Sequence, residues 1–281
     1  MDQPWGQAVT LARGLQRIVA PNPGPMTGHG TNTYLVGEHE LAVIDPGPNE
    51  PSHIDAILKA GRDSEGRNRI RWVIATHTHP DHSPAAQAII EATGAECLGM
   101  SPPVGDMHQD VTFNPARELR DGERLQGQGF SLLVVHTPGH VANHVCLLHE
   151  ETGTLMTGDH IMQGSTVVII PLAGDMKDYI ESLKKLRRFP IKALAPGHGE
   201  LIHQPMAEVD KLIEHRLWRE KKILSVLQQG HSGTLQHLTP IAYDDVDASL
   251  HVIAQFSLWA HLIKLEKDGV VRKEEDRWIT K

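Results

Sequence analysis

The sequence predicts a mixed α/β protein that ends in a small helical appendage of the winged-helix kind. Three observations predict it. Short apolar runs with strand character alternate with helical stretches up to about residue 204. An apolar run ends directly on a turn bearing His or Asp in "IRWVIATHTHPDH", "FSLLVVHTPGH", "GTLMTGDH" and "IKALAPGHG". Beyond residue 204 such turns stop, and three helical stretches and a hairpin pattern follow. The domains expected are therefore residues 1–204, carrying the chemistry, and residues 205–281, the appendage.

In chain order, "GTNTYLV" is strand-like and "ELAVIDPGP" is a buried strand closed by a Pro/Gly turn. "HIDAILKAG" has helical spacing and stops at a glycine. "IRWVIAT" is a continuous apolar strand that runs into "HTHPDHSPAA". Ser83 is the expected N-cap, with Pro84 at the first position of a helix that ends at Gly94. The strands "FSLLVVHT", "GTLMT" and "IKALA" follow. "MAEVDKLIEHRLWREKKILSVLQQG" is a long amphipathic helix, a shorter one is expected near residues 234–242, and "DASLHVIAQFSLWAHLIKLEKDG" is the last. "GVVRKEEDRWIT" reads as a hairpin.

A chain of 281 residues with 40% hydrophobic and 22% charged residues forms a packed core rather than a disordered chain. A net charge of −8 gives no overall attraction to nucleic acid or anionic membrane. Two cysteines, Cys97 and Cys146, imply no disulfide framework, and Cys146 in "HVCLLH" reads as a small core hydrophobe. No apolar run is long enough to span a bilayer, and "MDQPWGQAVTLARG" lacks a charged segment followed by an apolar one. A cytoplasmic protein is expected. Histidine is over-used, at 19 residues, so each must be judged by its spacing; His39, His53 and His108 read as surface or turn residues.

The densest stretch is H-x-H-x-D-H, residues 77–82. In an extended loop, side chains at i and i+2 point the same way, so His77 and His79 address one ion. Asp81 and His82 are adjacent, diverge from that pair, and address a neighbouring position. Two metal sites side by side are the expected outcome, with His140 completing the first, His198 the second, and the Asp159 carboxylate bridging them. Nitrogen and carboxylate donors without thiolate suit two zinc ions, with iron or manganese as substitutes. A water between paired ions loses a proton near neutral pH, and the bridging hydroxide is the expected nucleophile. Asp81 and Asp159 are the expected catalytic carboxylates. A structural zinc site is disfavoured, because it would be closed and rich in cysteine. Asp45 in "VIDPG" is either a turn-forming aspartate or an acceptor that holds a ligand histidine, and His144 is a structural histidine or a neighbour of the substrate.

"HTHPDH", "TPGH", "TGDH" and "PGHG", in that order over residues 77–198, resemble the metal-ligand motifs of the metallo-β-lactamase superfamily. The resemblance implies an αββα four-layer sandwich, two sheets face to face and flanked by helices, with metals at one edge. It also implies the ligand sets His77, His79, His140 and Asp81, His82, His198, with Asp159 between. "GTNTYLVG" and the winged-helix-like tail are similar to the branch holding lactamase-beta-like single-strand endoribonucleases and glyoxalase-II-type thioesterases. The chain departs from that pattern with "SPAA" after the cluster and "VANH" after His140. Asp159 is unlike the dinuclear antibiotic-resistance enzymes and more like the glyoxalase-II type.

The reading that follows is a dinuclear-metal hydrolase of a small ester or thioester. The alternative is a single-strand endoribonuclease. A β-lactam or lactone hydrolase, or a DNA-binding regulator, is less favoured. A nuclease needs a basic track, because phosphate contacts dominate its affinity. From residue 205 onward there are 11 Lys or Arg against 12 Asp or Glu, which favours the small substrate.

Overall fold

The computed structural model describes residues 3–104, 106 and 108–281. The chain forms two compact units. The first comprises Met1–Thr137, Asn143–Ser165 and Arg188–Met206, and the second Pro138–Ala142, Thr166–Arg187 and Ala207–Lys281.

The first unit is built on two sheets. Strands β1 (Val9–Ala12), β2 (Leu15–Val19), β3 (Asn32–Val36), β4 (Leu41–Ile44), β5 (Ile70–Ile74), β6 (Glu96–Gly99) and β7 (Arg117–Glu118) lie in that order in a seven-stranded sheet. Strands β8 (Arg124–Gly127), β9 (Phe130–His136), β10 (Val145–His149), β11 (Thr154–Gly158) and β12 (Ala193–Pro196) form a five-stranded sheet in the order β12-β11-β10-β9-β8. Pairing is antiparallel from β1 to β4 and parallel from β4 to β7; β11 and β12 are also parallel. Parallel neighbours need a crossover, and helices α1 (Pro51–Ala60) and α2 (Ala86–Thr93) supply it between β4, β5 and β6.

The period of two along each strand sorts side chains into two layers. Tyr34, Val36, Ala42, Ile44, Trp72 and Ile74 meet Leu132, Val134, Val145, Leu147 and Met156 of the other sheet. Leu35, Leu41, Val43 and Val73 point the opposite way and pack under Ile54, Ile57, Ala86 and Ile89 of the two helices. Trp72 and Phe130 join the sheets edge to face, with ring centroids 6.0 Å apart. The expected strands, and the expected face-to-face sheets with flanking helices, are therefore present.

Two local expectations are corrected. Ser83 is not the cap of α2: the cap is Ala85, which makes no side-chain hydrogen bond, and the Ser83 hydroxyl donates to Asp110 at 2.8 Å instead. The stop at Gly94 holds; that residue is left-handed (φ 72°) and its N–H reaches Ile90 O. His53 is not a surface residue. It is fully buried on the inner face of α1 and its Nε2 lies 2.8 Å from Thr33 Oγ1. His39 and His108 are exposed, as expected.

The second unit holds α3 (Met176–Leu186), α4 (Pro205–Gln228) from Ala207 onward, α5 (Leu235–Ala242), α6 (His251–Lys267) and the hairpin β13 (Val271–Glu274) with β14 (Arg277–Thr280). Ala254, Leu258 and Leu262 recur at i, i+4 and i+8 on α6 and pack with Ile223, Leu227, Leu238 and Trp278. Thr234 caps α5, its hydroxyl accepting from His237 N–H. No described helix is long and apolar enough to cross a membrane.

Candidate metal centre

The loop after β5 is held before it carries any chemistry. Asp45, at the end of β4, takes a left-handed backbone (φ 51°) and receives Thr76 N–H at 2.7 Å, Thr76 O–H at 2.9 Å and His82 Nδ1–H at 2.9 Å. Thr78 O–H reaches Gln109 Oε1, and Asn143 Nδ2 donates to Thr78 Oγ1. The loop is thus tied to both sheets' connections, which fixes where its histidines point. The turn that brings His82 back is closed by His82 N–H on His79 O at 3.0 Å.

Within this frame the predicted residues gather. His77, His79 and Asp159 each offer one ligand-type atom, and these lie within 4.8 Å of one another. Asp81, His82 and His198 do the same. In the second set the tips are close and even. His82 Nε2 is 3.4 Å from both Asp81 Oδ2 and Asp159 Oδ1, and His198 Nε2 is 3.3 Å from the same two oxygens. Four donors held tetrahedrally by bonds of about 2.0–2.1 Å stand roughly 3.3 Å apart, so the residues fit a small divalent ion. Asp159 reaches both sets, as a shared carboxylate must.

Each outlying donor arrives from a strand end. Asp159 follows β11, and Gly197 N–H on Gly158 O (2.8 Å) locks its loop to the one bearing His198. A Cβ on Gly197 would sit 2.7 Å from His82 Cε1 and 2.8 Å from Asp159 Oδ1, so the "PGH" glycine clears the donor cage. His198 is held by Nδ1 near Gly30 O at 3.3 Å. His140 lies in the Pro138–Ala142 segment, which packs with the second unit; its Nδ1 donates to Val168 O at 2.8 Å and leaves Nε2 as the ligand atom. His144 is fully buried, bonded through Nδ1 to Thr137 Oγ1 at 2.9 Å, and its ring lies 5.1 Å from that of His77.

Thr31 is a site residue that no sequence pattern singles out. Its hydroxyl donates to Asp81 Oδ2 at 3.0 Å, and Asn22 holds Thr31 through both side-chain amide atoms. The only available signal is its place beside the strand "NTYLV"; no spacing rule marks it. His160 escapes the spacing argument too and is fully buried, its ring 5.9 Å from that of His144.

The electrostatics are those of a cation site. Burial disfavours charge on His82, yet Asp81, Asp159 and Asp45 raise its pKa well above the ordinary range. Burial likewise opposes His198, and Asp159 and Asp81 push it up to about 10. Against their own burial, Asp81 and Asp159 are held far below the usual carboxylate range by His82 and His198. Burial, with His82 and His79 beside it, keeps His77 neutral. Neutral His77 is ready to coordinate, while two imidazolium protons occupy the charge balance that cations would fill.

The profile of the metallo-beta-lactamase superfamily matches residues 26–198, and that of the beta-lactamase associated winged helix domain matches residues 234–278. A beta-lactamase-like protein 2 homolog of Caenorhabditis elegans is 32% identical over 277 residues, covering 96% of this chain and 90% of that protein. Thioesterase pkgB of Emericella nidulans is 30% identical over 218 residues, covering 77% of this chain and 60% of that protein. An atrochrysone carboxyl ACP thioesterase of Aspergillus fumigatus is 29% identical over 218 residues, covering 75% of this chain and 64% of that protein. A solved metallo-beta-lactamase family protein from Thermus thermophilus superposes with a TM-score of 0.77 at 22% identity, covering 97% of this chain and 100% of that one, which supports the fold. Sheets, donor sets and profile agree: the chain belongs to the metallo-beta-lactamase superfamily, as a metal-dependent hydrolase with a C-terminal winged helix domain.

Proposed function

We propose that this chain hydrolyses the thioester of a small acid, and that it does so with two zinc ions. The observation that carries the metal reading is the donor cage of His82, His198, Asp81 and Asp159 with its even 3.3–3.4 Å edges. In this reading Asp81, His82 and His198 hold one ion, and His77, His79 and His140 the other, with Asp159 shared. His140 is tethered within three residues of Thr137 on one side and Asn143 on the other, which supports its joining His77 and His79. Donors without thiolate suit zinc.

When bound, paired ions supply Lewis acidity and a water acidified to near neutral pH. The protein's own groups do the rest. Asp81 orients the attacking water; Thr31, donating to Oδ2, keeps that carboxylate turned into the site. Asp45 holds His82 in the tautomer that presents Nε2. Asp159 keeps the two sets in register. The substrate class rests on the thioesterases among the relatives. The near balance of 11 basic and 12 acidic residues from residue 205 onward gives RNA phosphates no excess positive charge.

The test is one purified, metal-assayed sample offered S-lactoylglutathione, an acyl-pantetheine thioester, a lactone, a cephalosporin and single-stranded RNA. Thiol release from a thioester should exceed turnover of every other substrate by about 100-fold, the order of discrimination that substrate-specific contacts supply. RNA cleavage as the dominant activity replaces this reading with the nuclease one.

A further inference from the structure

A separate cavity of about 230 Å³ lies wholly within the second unit. Its wall combines Arg216, His215, Tyr243 and Ser257 with the apolar Val168 and Ile253. Of its wall, the hydrolase reading uses one backbone group, Val168 O, which holds His140.

Arg216 is the anomaly. Its side chain is 3% exposed, yet its charge is left without a counter-ion. Nη2 donates to Val167 O at 2.5 Å, and Nε has no hydrogen-bond partner. The Tyr179 ring, 5.3 Å from the guanidinium carbon, is a weak substitute for an anion. Among the described residues no carboxylate pairs with Arg216. Asp245 is clamped by both Nη atoms of Arg219 at 2.8 Å, and Glu220, whose Oε1 accepts from Lys264 at 2.9 Å, makes no ion pair with Arg216 although its Oε2 has no hydrogen-bond partner. Arg219 is therefore neutralised and Arg216 is not. His215 adds a second uncommitted donor site, for its Nδ1 also lacks a partner.

A guanidinium does not shed its proton, so burial without an anion is costly. Its planar fork matches a carboxylate through two parallel hydrogen bonds. The rest of the wall, with Val168, Val246, Ile253 and Ala254, is apolar. The volume falls below the range of about 300–1,000 Å³ typical of drug-sized ligands. We infer that this cavity binds a small organic monocarboxylate with an apolar tail, its carboxylate on Arg216 and His215 and its tail against Val168 and Ile253. A phosphate is a poorer fit, because a dianion would meet a single uncommitted guanidinium.

The test uses the full chain loaded with metal, titrated calorimetrically with hexanoate, hexanamide and inorganic phosphate. Hexanoate should bind, and hexanamide should bind about 10- to 100-fold more weakly, as the loss of a charged hydrogen-bonded pair implies. Arg216→Met should weaken hexanoate by the same factor. Ile253→Trp, at a position 43% exposed and so tolerant of bulk, should block the cavity without burdening the fold. Asp81→Ala separates this site from carboxylate binding at the metals, and should leave hexanoate affinity unchanged. The inference is overturned by an absence of hexanoate binding, by affinity that survives both Arg216→Met and Ile253→Trp, by loss of affinity in Asp81→Ala alone, or by tighter binding of phosphate. Thioester turnover is not a readout, so this result and the substrate assignment stand or fall separately.

Discussion

Asp45 and His82 form a buried pair, Nδ1 to Oδ2 at 2.9 Å, at the junction of β4 and the donor loop. The same carboxylate also receives both polar groups of Thr76. It therefore does two things: it shapes the loop, and it fixes the ring of one donor while raising its basicity. Asp45→Asn keeps the size and removes the charge. Metal affinity or kcat/KM should fall about 10- to 100-fold. Thr76→Val would strip the hydroxyl from Asp45 and also from His77 Nδ1, 3.0 Å away, so Thr76→Ser, which keeps the hydroxyl, is the control and should retain most turnover. Wild-type metal affinity and turnover in Asp45→Asn would reduce Asp45 to a scaffold residue.

Metal binding should be coupled to proton release. His82 and His198 carry raised pKa values, so each must give up a proton before its Nε2 coordinates. Affinity should rise with pH across the neutral range. Zinc titrations near pH 7.5 in two buffers of different ionisation enthalpy count the protons, and a net release of about one or more is expected. The metal-free chain has a matching signature. His198 titrates near 10 folded and 6.5 in the free state, so its stabilising contribution is complete below pH 6.5 and is lost as pH rises toward 10. A metal-free chain whose unfolding free energy stays flat over that window contradicts the proton-filled cage.

Gly197 should be intolerant of even one carbon. An added Cβ meets His82 Cε1 at 2.7 Å and Asp159 Oδ1 at 2.8 Å, closer than real contacts allow. Both neighbours belong to the donor cage, so relief comes by moving a donor. Gly197→Ala should lose about 100-fold in kcat/KM, the cost typical of a misplacement near 1 Å, with metal content lowered and the melting temperature changed little. Metal analysis beside kinetics checks it; wild-type turnover in the variant would mean that the cage gives way without consequence.

Much of this architecture was legible because it rests on local periodicity. Val36, Ala42 and Ile44 alternate with Leu35, Leu41 and Val43, and that alternation alone divides the two layers. The H-x-H-x-D-H run announces metal donors because nothing else gathers those side chains in one turn. The misses have physical causes. Asp45 stayed ambiguous because a turn aspartate and an acceptor for a distant imidazole look alike in "VIDPG"; the deciding contact spans 37 residues. Thr31 acts on Asp81 across 50 residues, beyond any spacing rule. Ser83 has the chemistry of a cap, but Asp110 draws its hydroxyl away. His53 was within reach: it shares a helix face with Ile57, one turn on, and the helical period already marked that face as buried.

His53 and His261 should set the acid limit of the metal-free chain between pH 6.5 and 4. Burial lowers both to about 4 in the folded state, against 6.5 free. In that window the unfolded chain binds more protons than the folded one, so stability falls as pH drops. Above pH 6.5 both contributions are complete, and below 4 they change no further. Each shift corresponds to roughly 3 kcal/mol at most. His198 acts above 6.5, and Asp81 and Asp159 act below the ordinary carboxylate range, whereas His77, His149 and His215 are also lowered by burial and add to the same window as His53 and His261. His53→Gln removes the titration while retaining a donor for Thr33 Oγ1. Urea unfolding followed by far-ultraviolet circular dichroism at pH 7 and pH 5 should show a smaller pH difference in this variant than in the parent, with His77 and His149 among the groups that carry the remainder. An unchanged difference would assign the acid sensitivity to another buried group.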